Sequence, residues 1–126
     1  MFKVKIFTLY PDLYPGPLNT GIYKKALESK IWDLKVINIR DYAIDKHSSV
    51  DDTPFGGGSG MLLRPDVVAS ALDSNLESNE TTIYLSPKGK KFDQRAAREF
   101  SEQKKLNLLK KWGLTILFYQ RIKKKE

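Results

Sequence analysis

Residues able to perform chemistry cluster in a glycine-rich stretch near the middle of the chain. Asp51 and Asp52 precede the run GGGSG at positions 56–60, and Asp45 and His47 lie a few residues earlier. Aspartates can transfer protons or bind metal ions, and glycines let backbone amides approach a ligand closely. Aspartates are also common in solvated loops, and glycine runs in flexible linkers. Taken alone, this stretch leaves a binding loop and a plain linker both open.

The glycine run matches neither of the common phosphate-binding motifs. No Gly-Lys-Ser/Thr follows it, as a P-loop requires, and no strand directly precedes it, as a dinucleotide-binding turn requires. The chain has no cysteine and a single histidine. These counts exclude thiolate zinc sites, a cysteine nucleophile and a multi-histidine metal site, so we expect no metal centre.

A second candidate segment, Ser86 to Lys90, follows the apolar run TTIYL at positions 81–85. Its composition is that of a tight turn, and no histidine lies nearby to activate Ser86 as a nucleophile. Basic residues surround a lone Asp93 just beyond, and they could bind a phosphate backbone or simply form a solvated helix face. These basic residues are Lys88, Lys90, Lys91, Arg95 and Arg98.

Net charge is distributed unevenly along the 126 residues. Positions 1–103 carry 14 basic and 14 acidic residues, whereas positions 104–126 carry eight basic residues and one glutamate, so the whole net charge of +7 lies in the final segment. We therefore expect any nucleic-acid binding to depend steeply on salt and to come mainly from this segment. With 40% hydrophobic residues, no long apolar run and no signal peptide, the chain is expected to be one soluble, cytoplasmic globular domain without a membrane span.

The hydrophobic pattern alternates between strand-like and helix-like segments. This alternation predicts an α/β fold with a mainly parallel sheet, in which ligands bind at the carboxyl ends of the strands. The loops at 40–60 and 86–90 follow such ends, so we expect them at the same edge of the sheet. The predicted strands are 2–9, 34–39, 81–85 and 106–109, with a further strand-like run at 114–119, and the predicted helices are 18–30, 65–76 and 93–102, the last capped by Asp93.

The order of these motifs resembles the bacterial tRNA (guanine-N1)-methyltransferases, knotted enzymes of the SPOUT class. The run VDDTPFGGGSGM at 50–61, followed by YLSPKG at 84–89, is very specific to that family. The resemblance covers Met1 to about Leu109, beginning with FTLYPD in the first strand and ending with KLNLL. It implies a SPOUT-like, Rossmann-type α/β fold.

The resemblance implies methylation of guanosine 37 in tRNA, next to the anticodon, with S-adenosylmethionine as cofactor and a homodimer as the family's assembly. The cofactor's adenosine part would contact Tyr84, Leu85, Ser86, Pro87 and Gly89. The substrate guanosine would face the preceding glycine-rich loop, whose residues are His47, Asp51, Asp52, Pro54, Phe55, Gly56, Gly57, Gly58, Gly60 and Met61.

The likeness stops at Lys110. The family's remaining knot loops and its helical domain, which bears the presumed general base, have no counterpart in the sequence KKWGLTILFYQRIKKKE. We therefore expect a partial SPOUT methyltransferase domain at 1–109, an incomplete trefoil knot and a divergent basic tail at 110–126. The catalytic residues would lie outside this chain, leaving a truncated, inactive form. The alternative is a non-catalytic RNA-binding or dimer-interface module.

Overall fold

A computed structural model describes residues 1–43, 51–52, 62–63, 65–77, 80–110 and 118–122. Strands and helices alternate along these residues, in the manner that the hydrophobic pattern predicts. The strands are β1 (Phe2–Thr8), β2 (Trp32–Asn38), β3 (Asp51–Asp52), β4 (Leu62–Leu63), β5 (Thr81–Lys91), β6 (Lys105–Lys110) and β7 (Phe118–Ile122). The helices are α1 (Gly21–Glu28), α2 (Pro65–Asn75) and α3 (Gln94–Ser101).

Five strands form the main sheet in the order β2-β1-β6-β5-β7. The first four are parallel to one another, and β7 runs antiparallel to β5 at the edge. Parallel neighbours need crossover connections, and α1, α2 and α3 each lie in the chain between two parallel strands. The predicted α/β class with a mainly parallel sheet is confirmed.

One face of the sheet is covered by α2. Phe7 of β1 and Leu109 of β6 are buried in the same cluster as Val67 of α2, and each is at most 4% exposed. Ile37 of β2 and Ala71 of α2 complete the centre of this cluster. Since side chains alternate across a strand, Phe7, Ile37 and Leu109 in one register row point to the same face.

The opposite face is covered only in part. Ile83 of β5 packs with Ala96 and Phe100 of α3, while α1 has no buried residue and leaves Ile22 74% exposed. Between α1 and the sheet lies an apolar cleft of about 390 Å³, floored by residues of β1, β2 and β6. The lining side chains are Phe2, Val4, Ile6, Tyr14, Pro15, Leu18, Tyr23, Trp32, Leu34, Leu106 and Leu108.

At the amino ends of the strands, the α2 face becomes polar. The buried carboxylate of Glu80 lies 3.6 Å from Lys5 Nζ and 3.7 Å from Lys105 Nζ, and it accepts a hydrogen bond from Asn107 Nδ2. Lys5 Nζ also donates a 2.6 Å hydrogen bond to the carbonyl of Asn75. Burying a carboxylate is costly unless it is paired, and these lysines supply the pairing.

Local sequence signals account for the helix ends. Asp93 accepts a 2.9 Å hydrogen bond from the backbone N–H of Ala96, which confirms it as the cap of α3. The start predicted for α1 at position 18 is wrong, because Gly16–Asn19 forms a separate 3₁₀ turn before the helix begins. Proline at position 17 suits the first turn of a short helix and lacks the N–H needed to continue one.

Two loop predictions are also wrong. The loop expected from position 40 begins later, since Ile39–Tyr42 forms a 3₁₀ turn in which Asn38 Oδ1 accepts a 3.0 Å hydrogen bond from Arg40 N. The tight loop expected at 86–90 is shorter and lies inside β5: Ser86 to Gly89 leave the ladder, and Lys90 and Lys91 pair with β7 again, so the strand extends to Lys91. None of the helices in the described ranges is long and apolar enough to cross a membrane.

Candidate functional site

The predicted cofactor segment begins at the last residue of β5 that pairs with β6. Tyr84 lies opposite Leu109, which lies opposite Phe7, which in turn lies opposite Ile37. Tyr84 packs against the α2-side cluster, and the next residue, Leu85, packs against the α3-side cluster. The segment therefore leaves the core at the carboxyl edge of the sheet, where α/β proteins bind their ligands.

A bulge follows immediately in β5. Leu85 and Lys90 are both in register with Tyr119 of β7, so the four residues between them, Ser86 to Gly89, arch out of the ladder. Ser86 is only 6% exposed, which anchors the start of the arch. Pro87 and Gly89 lie within it. Bulges redirect backbone and side-chain groups and are common next to binding sites. This bulge presents the backbone groups of the predicted cofactor segment at the edge of the sheet.

Asp51 and Asp52 form β3, which pairs antiparallel with Leu62–Leu63 of β4. The two ends of the glycine-rich segment are thereby held side by side, and β4 leads directly to α2. The other predicted substrate residues lie outside the described residues, as does the predicted shared edge of the two loops. They are His47, Pro54, Phe55, Gly56, Gly57, Gly58, Gly60 and Met61.

The structure shows a change in strand connection that sequence reasoning missed. From adjacent strands β1 and β6, the chain proceeds to opposite sides of the sheet, to β2 and to β7. This is the topological switch point at which α/β folds bind ligands. Lys110 Nζ, at the carboxyl end of β6, lies 5.7 Å from the ring centroid of Tyr14. Tyr14 follows β1, and nothing in the local sequence pairs it with residue 110.

The cluster of paired lysines and glutamates lies at the opposite, amino edge of the sheet. No group of three or more His, Cys, Asp or Glu side chains capable of holding a metal ion occurs among the described residues. The hydrogen bond from Lys105 lowers the pKa of Glu77, but this pair sits at the amino edge, opposite the cofactor segment. The geometry thus supports the carboxyl edge as the place for a ligand. Among the described residues, no cluster of side chains suited to proton transfer lies beside that edge.

A mainly parallel sheet flanked by helices, with a bulged strand at its carboxyl edge, defines an α/β domain of the class that binds ligands at this edge. The chain belongs to the tRNA (Guanine-1)-methyltransferase TrmD family, whose sequence profile matches residues 2–111. That match spans every described strand of the sheet except β7.

Curated relatives carry the same family name. The chain is 61% identical over 109 residues to a tRNA (guanine-N(1)-)-methyltransferase of Pelagibacter ubique (strain HTCC1062), covering 86% of this chain and 48% of the relative. A protein of that name from Wolbachia pipientis subsp. Culex pipiens (strain wPip) is 52% identical over 103 residues, covering 80% and 44%. One from Rhodospirillum rubrum is 43% identical, covering 85% and 45%. The chain thus spans about half the length of these relatives.

Proposed function

We propose that this chain provides the cofactor-binding half of a tRNA methyltransferase that methylates N1 of guanosine 37. The proposed cofactor is S-adenosylmethionine, the proposed partners are tRNA and a second copy of the chain, and the proposed compartment is the cytoplasm. The observation that carries the proposal is the bulge at Ser86–Gly89, placed at the carboxyl edge of a sheet whose sequence belongs to a methyltransferase family.

The residues of the cofactor segment fit an adenosine-like ligand. Tyr84 and Leu85 are half-buried and pack into the clusters on opposite faces of the sheet, so the start of the segment is held in place. The arch from Ser86 to Gly89 brings backbone donors and acceptors to the edge, where they can hydrogen-bond an adenine and a ribose. When bound, S-adenosylmethionine supplies an electrophilic methyl group. The role of this segment is to bind and orient it.

The proposed substrate side is the glycine-rich loop. The pairing of β3 with β4 holds the two ends of this loop together. In the proposal Asp51 and Asp52 hydrogen-bond the guanine edge, and the glycines admit the flipped nucleotide. N1 of neutral guanine must lose its proton to become a good nucleophile. The proposed general base lies outside this chain, so the chain alone is expected to transfer no methyl group.

Two measurements test this function on the purified chain. Calorimetry with S-adenosylmethionine is expected to show binding, weakened about tenfold or more in Gly89→Leu, whose added side chain fills the arch. Lys91→Leu, an exposed position on the same strand beyond the arch, serves as the matched control and should bind normally. Absence of cofactor binding by the unmodified chain contradicts the proposal.

The second measurement uses unmodified tRNA and radiolabelled S-adenosylmethionine. We expect no incorporation of label above a protein-free blank. Turnover by the chain that is lost in Asp52→Ala would contradict the incomplete site and make this chain a complete enzyme.

The alternative, a non-catalytic interface module, draws support from α1. This helix buries no side chain and exposes Ile22 and Tyr23, 74% and 54% of whose surfaces face solvent. Monomeric proteins rarely expose contiguous apolar patches, so this face is suited to a second copy of the chain. Sedimentation should show a dimer that Ile22→Glu dissociates and Lys25→Glu, on the same helix, does not. A chain that stays monomeric at all concentrations would contradict an interface on α1.

A further inference from the structure

An exposed aromatic ring lies directly beyond β5. Phe92 is 43% exposed. Its ring is stacked parallel to that of Phe100, with centroids 6.3 Å apart, and meets the edge of Tyr119 with centroids 6.0 Å apart. Phe100 and Tyr119 also meet edge to face, at 5.2 Å. The ring of Phe92 is therefore held rigidly from beneath while much of its surface faces solvent.

Basic residues lie on the same chain segments that supply the rings of this aromatic cluster. Lys90 is exposed and precedes Phe92 by two residues, near the end of β5. Arg95 lies in the first turn of α3 and is exposed. The guanidinium carbon of Arg121, from β7, lies 5.3 Å from the ring centroid of Phe100. Lys90 near the end of β5, Arg95 of α3 and Arg121 of β7 thus lie on the segments that carry Phe92, Phe100 and Tyr119, and Arg121 directly contacts one of these rings.

The neighbouring carboxylates are already engaged. Asp93 caps α3 by accepting the 2.9 Å hydrogen bond from Ala96 N. Glu99 forms an ion pair with Arg121. That pair adds no net charge, whereas Lys90 and Arg95 have no carboxylate partner among the described residues, and their charges favour a negatively charged partner.

We propose that Lys90, Phe92, Arg95 and Arg121, here called the basic–aromatic platform, bind unpaired RNA. The ring of Phe92 stacks a base, and the basic side chains contact the phosphates on either side. Aromatic rings flanked by cations are the general means of holding single strands, because every base has a flat face to stack. Base-paired RNA keeps its base faces inside the helix, so the exposed ring selects unpaired nucleotides.

The inference about the platform rests on the proposed function, and the position of the platform adds a contact site for the RNA substrate. Lys90 is the residue at which the arch of Ser86–Gly89 rejoins the ladder, opposite Tyr119. An RNA strand stacked on Phe92 therefore passes beside the proposed cofactor segment. The platform is thus the place at which the unpaired part of a tRNA substrate contacts this chain.

The test measures binding of the full chain to a fluorescent single-stranded oligouridine by anisotropy at fixed salt. Phe92→Leu keeps an apolar side chain but removes the aromatic face, and is expected to weaken binding about tenfold. Phe92→Tyr keeps the face and should bind as the unmodified chain does. Arg95→Gln should reduce the slope of log affinity against log salt by about 0.7.

Three outcomes overturn the platform. The first is no binding of oligouridine by the unmodified chain, and the second is that Phe92→Leu binds it as tightly as the unmodified chain does. The third is that a blunt RNA duplex binds as tightly as oligouridine and that Phe92→Leu does not change the affinity for the duplex. Cofactor binding, measured on each variant, separates this inference from the proposed function. If Phe92→Leu binds both S-adenosylmethionine and oligouridine normally, the platform fails and the proposed function stands. If the unmodified chain does not bind the cofactor, the proposed function fails whatever the RNA result.

Discussion

Lys105 Nζ donates a 3.0 Å hydrogen bond to Oε2 of Glu77, which joins the start of β6 to the segment after α2. This bond and the charge of Lys105 lower the pKa of Glu77 from 4.5, and the same contact raises the pKa of Lys105 from 10.5. The carboxylate side chain is 73% exposed, so solvent screens the pair and its contribution to stability is small.

The pH dependence of this pair can be predicted. A lowered carboxyl pKa contributes stability above about pH 4.5, which is lost as pH falls through the lower folded-state value. A raised lysine pKa contributes stability below about pH 10.5, which is lost as pH rises through the higher folded-state value. Glu77→Gln should therefore be slightly less stable than the unmodified chain between these limits and equal to it in strong acid. Urea denaturation across pH checks this, and an unchanged difference in strong acid would contradict it.

The α2-side core should dominate stability. Phe7 is fully buried at the centre of this cluster, so Phe7→Ala should lower the free energy of unfolding by about 3–5 kcal/mol. Ile22→Ala, which removes an apolar side chain that is 74% exposed, should change it by less than about 0.5 kcal/mol. Equilibrium urea denaturation measures both, and comparable losses in the two variants would argue against this core.

The cap of α3 offers a more local test. Asp93→Ala removes the acceptor for Ala96 N and should cost about 1 kcal/mol of stability, whereas Asp93→Ser should restore most of it because serine also caps helices. Thermal unfolding followed by circular dichroism would show the order Asp, Ser, Ala. Equal stability of the serine and alanine variants would mean that the charge of Asp93, rather than the hydrogen bond, stabilises the helix.

Lys30, two residues after the end of α1, has a strained backbone conformation. Its φ is +59°, and the bonds from Lys30 N to Leu27 O and from Ile31 N to Ala26 O form a Schellman motif, whose left-handed position favours glycine. Lys30→Gly should therefore stabilise the protein by about 0.5–1 kcal/mol, while Lys30→Ala, which retains the Cβ strain, should not. Differential scanning calorimetry distinguishes the two substitutions, and a less stable glycine variant would rule out this conformation.

The basic tail predicts a separate effect on RNA binding. Replacing Lys123, Lys124 and Lys125 with glutamine should weaken binding to single-stranded and duplex RNA alike and flatten the salt dependence. Phe92→Leu should instead leave the salt slope unchanged, because it removes no charge. Anisotropy titrations at several salt concentrations compare the two variants. A tail variant with an unaltered slope would contradict the expectation that this segment supplies most of the electrostatic attraction.

Part of the candidate site was predictable from sequence. The segment from Tyr84 to Gly89 was identified by its motif, and the structure places its start at the carboxyl edge of the sheet. Its bulge was not predictable, because it depends on pairing with Tyr119, which lies 30 residues away from Gly89. For the same reason the meeting of Tyr14 with Lys110 was missed. Local patterns carry no information about partners so distant in the chain.

The sequence by itself determined the elements and the family. Alternating apolar residues specify β1, and Asp93 specifies the start of α3, because these signals act over a few residues. Only the tertiary structure decided that β6 lies between β1 and β5, and that β7 turns antiparallel onto β5. That order also brings Arg121 to Phe100 and exposes Phe92 beside them. The physical reason is that strand order depends on how segments distant in the chain bury their apolar faces against one another. The clusters of charge on the surface follow from that strand order.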